Sequence, residues 1–98
     1  MNPFEIEVLR LKIYIPKIQI KRLLKDKENS FKSRFEEKFA KYQKGFSSGV
    51  PLDLLIDYTL YKLFEFGGSV LKARRALSKK FGKDIADQNW NSIIGHIE

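Results

Sequence analysis

A chain of 98 residues, 43% hydrophobic and 13% aromatic, can bury a modest core and is too apolar for disorder to be expected. It contains no cysteine, which excludes a disulfide framework and any thiolate metal site and fits an intracellular, cytoplasmic protein. Nineteen Lys and Arg against twelve Asp and Glu give a net charge of +7, a field that draws polyanions: DNA or RNA, an acidic protein partner, or an anionic membrane surface.

The N-terminal segment admits two readings. Asn2-Pro3-Phe4-Glu5 has the form of a helix start, with Asn as N-cap, Pro at the first helical position and Glu at the third. Phe4, Val8, Leu11, Ile15 and Ile18 then recur at helical spacing. Yet Leu9, Leu11, Ile13 and Ile15 also alternate with Arg10, Lys12 and Tyr14, so a β-strand or hairpin at about 5–20 stands as the alternative. Pro16 interrupts either element. No charged stretch leads into an uninterrupted apolar one, and no leader peptide is expected.

Phe31, Phe35, Phe39, Tyr42 and Phe46 follow at three- and four-residue spacings, with Lys and Glu between them. This spacing predicts an amphipathic helix, possible in one piece with the segment carrying Ile20, Leu23 and Leu24. The ring stripe is expected to serve core or dimer packing rather than base stacking. A homodimer is expected because a monomer this small has many rings to bury. Gly45 and Ser47-Ser48-Gly49 end the helix and form the clearest hinge in the chain.

Pro51 is expected at the first position of a third helix that runs to about Phe66 and stops at Gly67-Gly68. Leu52, Leu55, Ile56, Thr59, Leu60, Leu63 and Phe64, extended by Leu54, Tyr58 and Tyr61, make it apolar nearly all round, so Val50–Phe66 should be the buried centre. Asp53, Asp57, Lys62 and Glu65 interrupt this stretch, which is also shorter than the roughly 20 apolar residues of a membrane span.

The segment LKARRALSKKFGKDIADQNWNSIIGHI, residues 71–97, predicts a helix from about Ser69 to Phe81, a break at Gly82, and a fifth helix capped by Asp84. Val70, Ala73, Leu77 and Phe81 should face inward from the fourth helix. Ile85, Ala86, Trp90, Ile93, Ile94 and Ile97 should do so from the fifth. The expected architecture is a single domain over 1–98, an all-α bundle of four to five helices with a helix-turn-helix-like C-terminal pair.

Charge along the chain is blocky. Residues 67–83 carry six basic groups and no acid, whereas residues 84–98 have a net charge of −3. Like charges three or four positions apart on a helix repel by a few tenths of a kcal/mol per pair, so the block calls for a partner anion. Lys72, Arg75 and Lys79 share one face, Arg74 and Lys80 flank it, and Lys83 extends it into the turn. Such a stripe suits phosphates, and Arg22, Lys25, Lys32 and Lys41 are possible secondary contacts. In the fifth helix Gln88 and Asn91 could read adenine, but Asp84 and Asp87 would lie near groove phosphates and are better explained as partners of the helix dipole.

Signals for catalysis are sparse. Asp53 and Asp57 share a face at i, i+4 but no histidine joins them. The lone His96 suits the carbonyls of a helix C-terminus. Gly67-Gly68 precedes a helix N-terminus without a phosphate-loop pattern around it. The expectation is a non-enzymatic nucleic-acid-binding protein with neither cofactor nor metal, gripping phosphates through Lys72, Arg74, Arg75, Lys79, Lys80 and Lys83. The alternative from another class is an assembly module that forms a helical oligomer and docks an acidic partner on the same basic helix.

Overall fold

A computed structural model describes residues 2–42 and 49–97, and 88% of them are helical with no strand among them. The strand or hairpin alternative at 5–20 is therefore overturned. Helix α1 spans Pro3–Tyr14. Its start is a reciprocal capping box: the Asn2 side chain accepts from the Glu5 amide at 2.9 Å, and the Glu5 carboxylate accepts from the Asn2 amide at 3.3 Å. Two amide groups that the first turn leaves without helical partners are thereby satisfied. At the far end Ile15 is extended, as the residue before a proline prefers, and Pro16 has no N–H with which to continue the ladder.

Helix α2, Lys17–Tyr42, is continuous for 26 residues, about 39 Å of helix. The Lys27 ammonium lies 3.8 Å from the Glu7 carboxylate, so α2 runs back antiparallel along α1. The hinge expected at Gly45 and Ser47-Ser48, the Phe46 end of the ring stripe and the side chain of Ile18 lie outside the described residues.

Helix α3 spans Leu52–Glu65, with Pro51 as the extended N-cap, one position before its expected place. Its end is a Schellman motif. The Gly68 amide donates to the Leu63 carbonyl at 2.8 Å and the Gly67 amide to the Phe64 carbonyl at 3.5 Å, with both glycines at positive φ. Gly68 has a second constraint, since a Cβ there would stand 2.5 Å from the Phe4 ring. Helix α4, Val70–Phe81, begins at Ser69, whose hydroxyl accepts from the Lys72 amide. Helix α5 spans Lys83–Ile97. Asp84 is not its cap. Gly82 at φ 101° makes the break, closes α4 through Ser78 and opens α5 by accepting from the Ala86 amide, which leaves Asp84 in the first turn near the positive end of the dipole.

Helix α3 is the centre, as its composition implies: it packs against α1, α2, α4 and α5. Leu54, Leu55, Leu63, Leu77 and Ile93 are wholly buried, each stabilising the fold by about 1.5–3 kcal/mol. Ala73 and Ala86 are also fully enclosed, and their small side chains let backbones approach. Where α2, α3 and α4 meet, Phe35, Tyr58 and Phe81 interlock at centroid distances of 4.8, 5.4 and 6.1 Å. Phe31 stacks on Phe64 at 5.6 Å. The ring stripe of α2 thus packs inside the chain, and a second copy is not required to cover Phe35.

One charged contact joins this core. Lys38 of α2 reaches the Asp57 carboxylate of α3 at 2.7 Å and Asp53 at 3.4 Å. Asp57 is buried, so this pair orients α2 on α3 as well as neutralising the carboxylate. The hydrogen bond to Asp57 raises the Lys38 pKa above 10.5 despite the opposing effect of burial.

Candidate nucleic-acid interface

The Ser69 cap sets the phase of α4, and that phase decides where each cation goes. Ala73, Leu77 and Phe81 turn into the core, which sends Lys72, Arg75, Ala76, Lys79 and Lys80 toward an open groove beside α3. Three α3 residues at four-residue intervals, Tyr58, Lys62 and Phe66, form the facing wall. The groove encloses about 610 Å³, and none of its lining side chains is a carboxylate.

Four of the six expected contact residues, Lys72, Arg75, Lys79 and Lys80, are thereby brought together. Lys62 joins them, a cation that sequence reasoning missed because it lies in a block of net negative charge. The spacing Tyr58, Lys62, Phe66 was the signal that could have found it, for these positions share one helix face with the ring-bearing side of α3.

Lys62 is the best-held cation of the five. Its ammonium lies 5.6, 4.6 and 5.7 Å from the ring centroids of Tyr58, Tyr61 and Phe66, and 2.8 Å from the Glu65 carboxylate. Burial works against the charged form, but the Glu65 hydrogen bond and the two tyrosines outweigh it, so the pKa rises above 10.5. Burial likewise raises the Tyr58 phenol above 10.0. At the α2 end of the groove Lys80 sits 5.2 Å over the Phe39 ring. Lys72, Arg75 and Lys79 are exposed.

Arg74 and Lys83 lie elsewhere. Arg74 points across to α5, where it donates to Asp87 at 3.0 Å and lies 5.0 Å over the Trp90 ring. It braces two helices. Lys83 borders a second concavity of about 440 Å³ shared with Leu71, Arg74, Arg75, Ser78 and Asp87. Arg75 stands on the ridge between the two. The secondary candidates are all exposed on α2, and none lines the groove: Lys25 pairs with Glu28 at 2.7 Å, Lys41 lies 5.8 Å over Tyr42, and Arg22 borders a small hollow with Asp26.

The remaining candidates are absorbed structurally. Asp53 and Asp57 are held by Lys38, and among the described residues no group of three or more His, Cys, Asp or Glu could hold a metal. His96 Nδ1 lies 2.9 Å from the Ser92 carbonyl, one turn earlier in α5. Phe4 covers the Gly68 turn where an anion would have approached. On α5, Gln88 and Asn91 are exposed, but Asp87 beside them is committed to Arg74. Among the described residues no helix is long and apolar enough to cross a membrane. No protein-family model, curated protein or solved structure matches the chain.

Proposed function

We propose that this chain is a non-enzymatic nucleic-acid-binding protein that grips phosphates in the groove between α3 and α4. One observation carries the reading: five cations, Lys62, Lys72, Arg75, Lys79 and Lys80, line one concavity with no carboxylate among them. Lys62 is already partnered by Glu65, which leaves four that gain most from an incoming anion. Each phosphate neutralised releases condensed counterions, a gain that needs no sequence reading and falls as salt rises.

A salt titration tests it. With about four phosphates contacted, log K should fall against log salt with a slope of about −3, or roughly 50-fold between 50 and 200 mM. Changing Arg75, Lys79 and Lys80 together to Ala should flatten that slope to about −1. Absence of binding to any nucleic acid at 20 mM salt defeats the proposal.

A second reading, an assembly module, is favoured by one specific feature. Ile6, Leu9 and Ile13 share the outer face of α1 and are 50–66% exposed, an apolar stripe opposite the buried Leu11. Under this reading the homodimer forms through α1 rather than through the α2 rings, and Leu9→Lys abolishes it in sedimentation equilibrium.

A further inference from the structure

We infer that the groove accepts single-stranded rather than duplex nucleic acid, with one unpaired base stacked on Phe66. This rests on the nucleic-acid reading above and specifies its ligand. Phe66 is 37% open to solvent, and it stands in the wall of the cationic groove. The other phenylalanines of the described residues are less exposed and pack in ring clusters.

The ring is set in place by its backbone. Phe66 is the C-cap of α3, its amide donates to the Lys62 carbonyl at 2.9 Å, and the Schellman turn of Gly67-Gly68 follows directly. The Lys62 ammonium lies 5.7 Å from the ring centroid, on the side where the rings of Tyr58 and Tyr61 also converge. Lys72, Arg75 and Lys79 form the opposite wall. A flat apolar plate and a row of cations therefore face each other across a concavity of about 610 Å³. Those are the two components that single-strand binders combine: a positive groove that follows the backbone and a ring on which any base can stack.

A duplex offers neither component a match. Its bases stack on one another and present only their edges, so no base face is free to meet Phe66. Its persistence length is about 50 nm, so it cannot bend into a concavity of this size and would touch only the rim. A single strand can turn its phosphates to one wall and a base to the other. The groove also lacks the means to read that base closely. Apart from the Tyr58 hydroxyl its side chains carry no hydrogen-bond acceptor, and it contains no Asn, Gln, Asp or Glu. The strand is held without strong sequence preference.

Fluorescence anisotropy with a labelled 15-mer of oligo(dT), a 15-base-pair duplex and inorganic polyphosphate as competitor tests this. The wild-type chain should bind oligo(dT) more tightly than the duplex. Phe66→Ala should weaken oligo(dT) binding about tenfold while leaving competition by polyphosphate unchanged, because stacking is lost and charge is not. Phe66→Trp should restore affinity, and its indole emission, measured above the Trp90 background, should be quenched by oligo(dT) and not by polyphosphate. Equal or tighter duplex binding, an unaltered oligo(dT) affinity in Phe66→Ala, or an unquenched Phe66→Trp overturns the single-strand inference while the phosphate-gripping function stands. Failure of oligo(dT), duplex and polyphosphate alike to bind overturns both. If Phe66→Ala does not fold, the quenching of Phe66→Trp decides alone.

Discussion

Arg74 and Lys79 lie five residues apart on one helix but face different neighbours, and under the proposed function substituting each to Ala should separate stability from binding. Arg74 holds Asp87 and covers Trp90. The ion pair is partly exposed, 40% and 46% at its two side chains, so it contributes roughly 0.2–1 kcal/mol. Stacking on Trp90 adds roughly 0.5–1 kcal/mol. Arg74→Ala should therefore cost about 1–1.5 kcal/mol, lowering Tm by about 4–12 °C in a domain of this size. Its salt slope for oligo(dT) should stay within error of wild type. Lys79 is exposed and lines the groove. Lys79→Ala should leave Tm within a degree or two, since exposed substitutions usually stay within about 0.5 kcal/mol, while the slope falls by about 0.7. Paired thermal melts and anisotropy titrations at four salt concentrations give both numbers for each variant. An Arg74→Ala protein that melts like wild type but loses salt slope would refute the assignment of Arg74 to the α4–α5 brace.

Three further outcomes are expected. Lys38→Met leaves the buried Asp57 carboxylate without its cation; because Lys38 itself keeps 31% exposure and admits water, the cost is about 2–3 kcal/mol, below the roughly 3–5 of a fully enclosed pair. Urea denaturation should show it, and Lys38→Met combined with Asp57→Leu should recover most of the loss. Gly68→Ala strains a φ of 94° and pushes a methyl against Phe4, so it should lose about 1–3 kcal/mol in the same assay, and Phe4→Ala in that background should relieve part of the loss. The alkaline limb of stability follows from Tyr58, Lys38 and Lys62, whose pKa values all lie above their unfolded values of 10.0, 10.5 and 10.5. A raised pKa means the folded chain holds its proton more firmly, so this stabilisation is complete below pH 10 and is lost as pH rises through the folded values. Melts between pH 8 and 11.5 should be flat and then fall; a decline beginning at pH 8 would contradict the assignment.

Features set by neighbours in the chain were legible in the sequence. The Asn2–Glu5 capping box, the Gly67-Gly68 stop and the Gly82 break each depend on a few consecutive residues, and each is found within one position of its expected place. The N-terminal ambiguity has a physical origin. Ile6, Leu9 and Ile13 are apolar on the outer face of α1 while Phe4, Val8 and Leu11 are apolar on the inner one, so no single helical period stands out and alternation mimics a strand. Lys72, Arg75 and Lys79 were legible as one face of α4, but which other cations join that surface was not, because that depends on how α4 is rotated against α3 and α5. A helical wheel places Arg74 at the flank of the basic face, and only the packing of α5 turns it into a brace for Trp90. Lys62 was hidden for the same reason: it joins the α4 cations across a helix pair, and no local pattern records that crossing. The Lys38 pair with Asp53 and Asp57 spans fifteen residues and more, beyond the reach of any spacing rule.

The order in which the helices pack has a bearing on how quickly the chain reaches this structure. Each helix rests on the one that follows it, α1 on α2, α2 on α3, α3 on α4 and α4 on α5, and the longer-range contacts are those of α1 and α5 with α3 and of α2 with α4. Such an arrangement has low contact order, so little loop-closure entropy is lost before a contact forms, and folding in microseconds to milliseconds is the rule for helical chains of this kind. The two walls of the cationic groove belong to α3 and α4, which are joined by only the turn of residues 66–69. Folding can therefore assemble the two walls from one of the shortest-range pairings in the chain, ahead of the docking of either terminus.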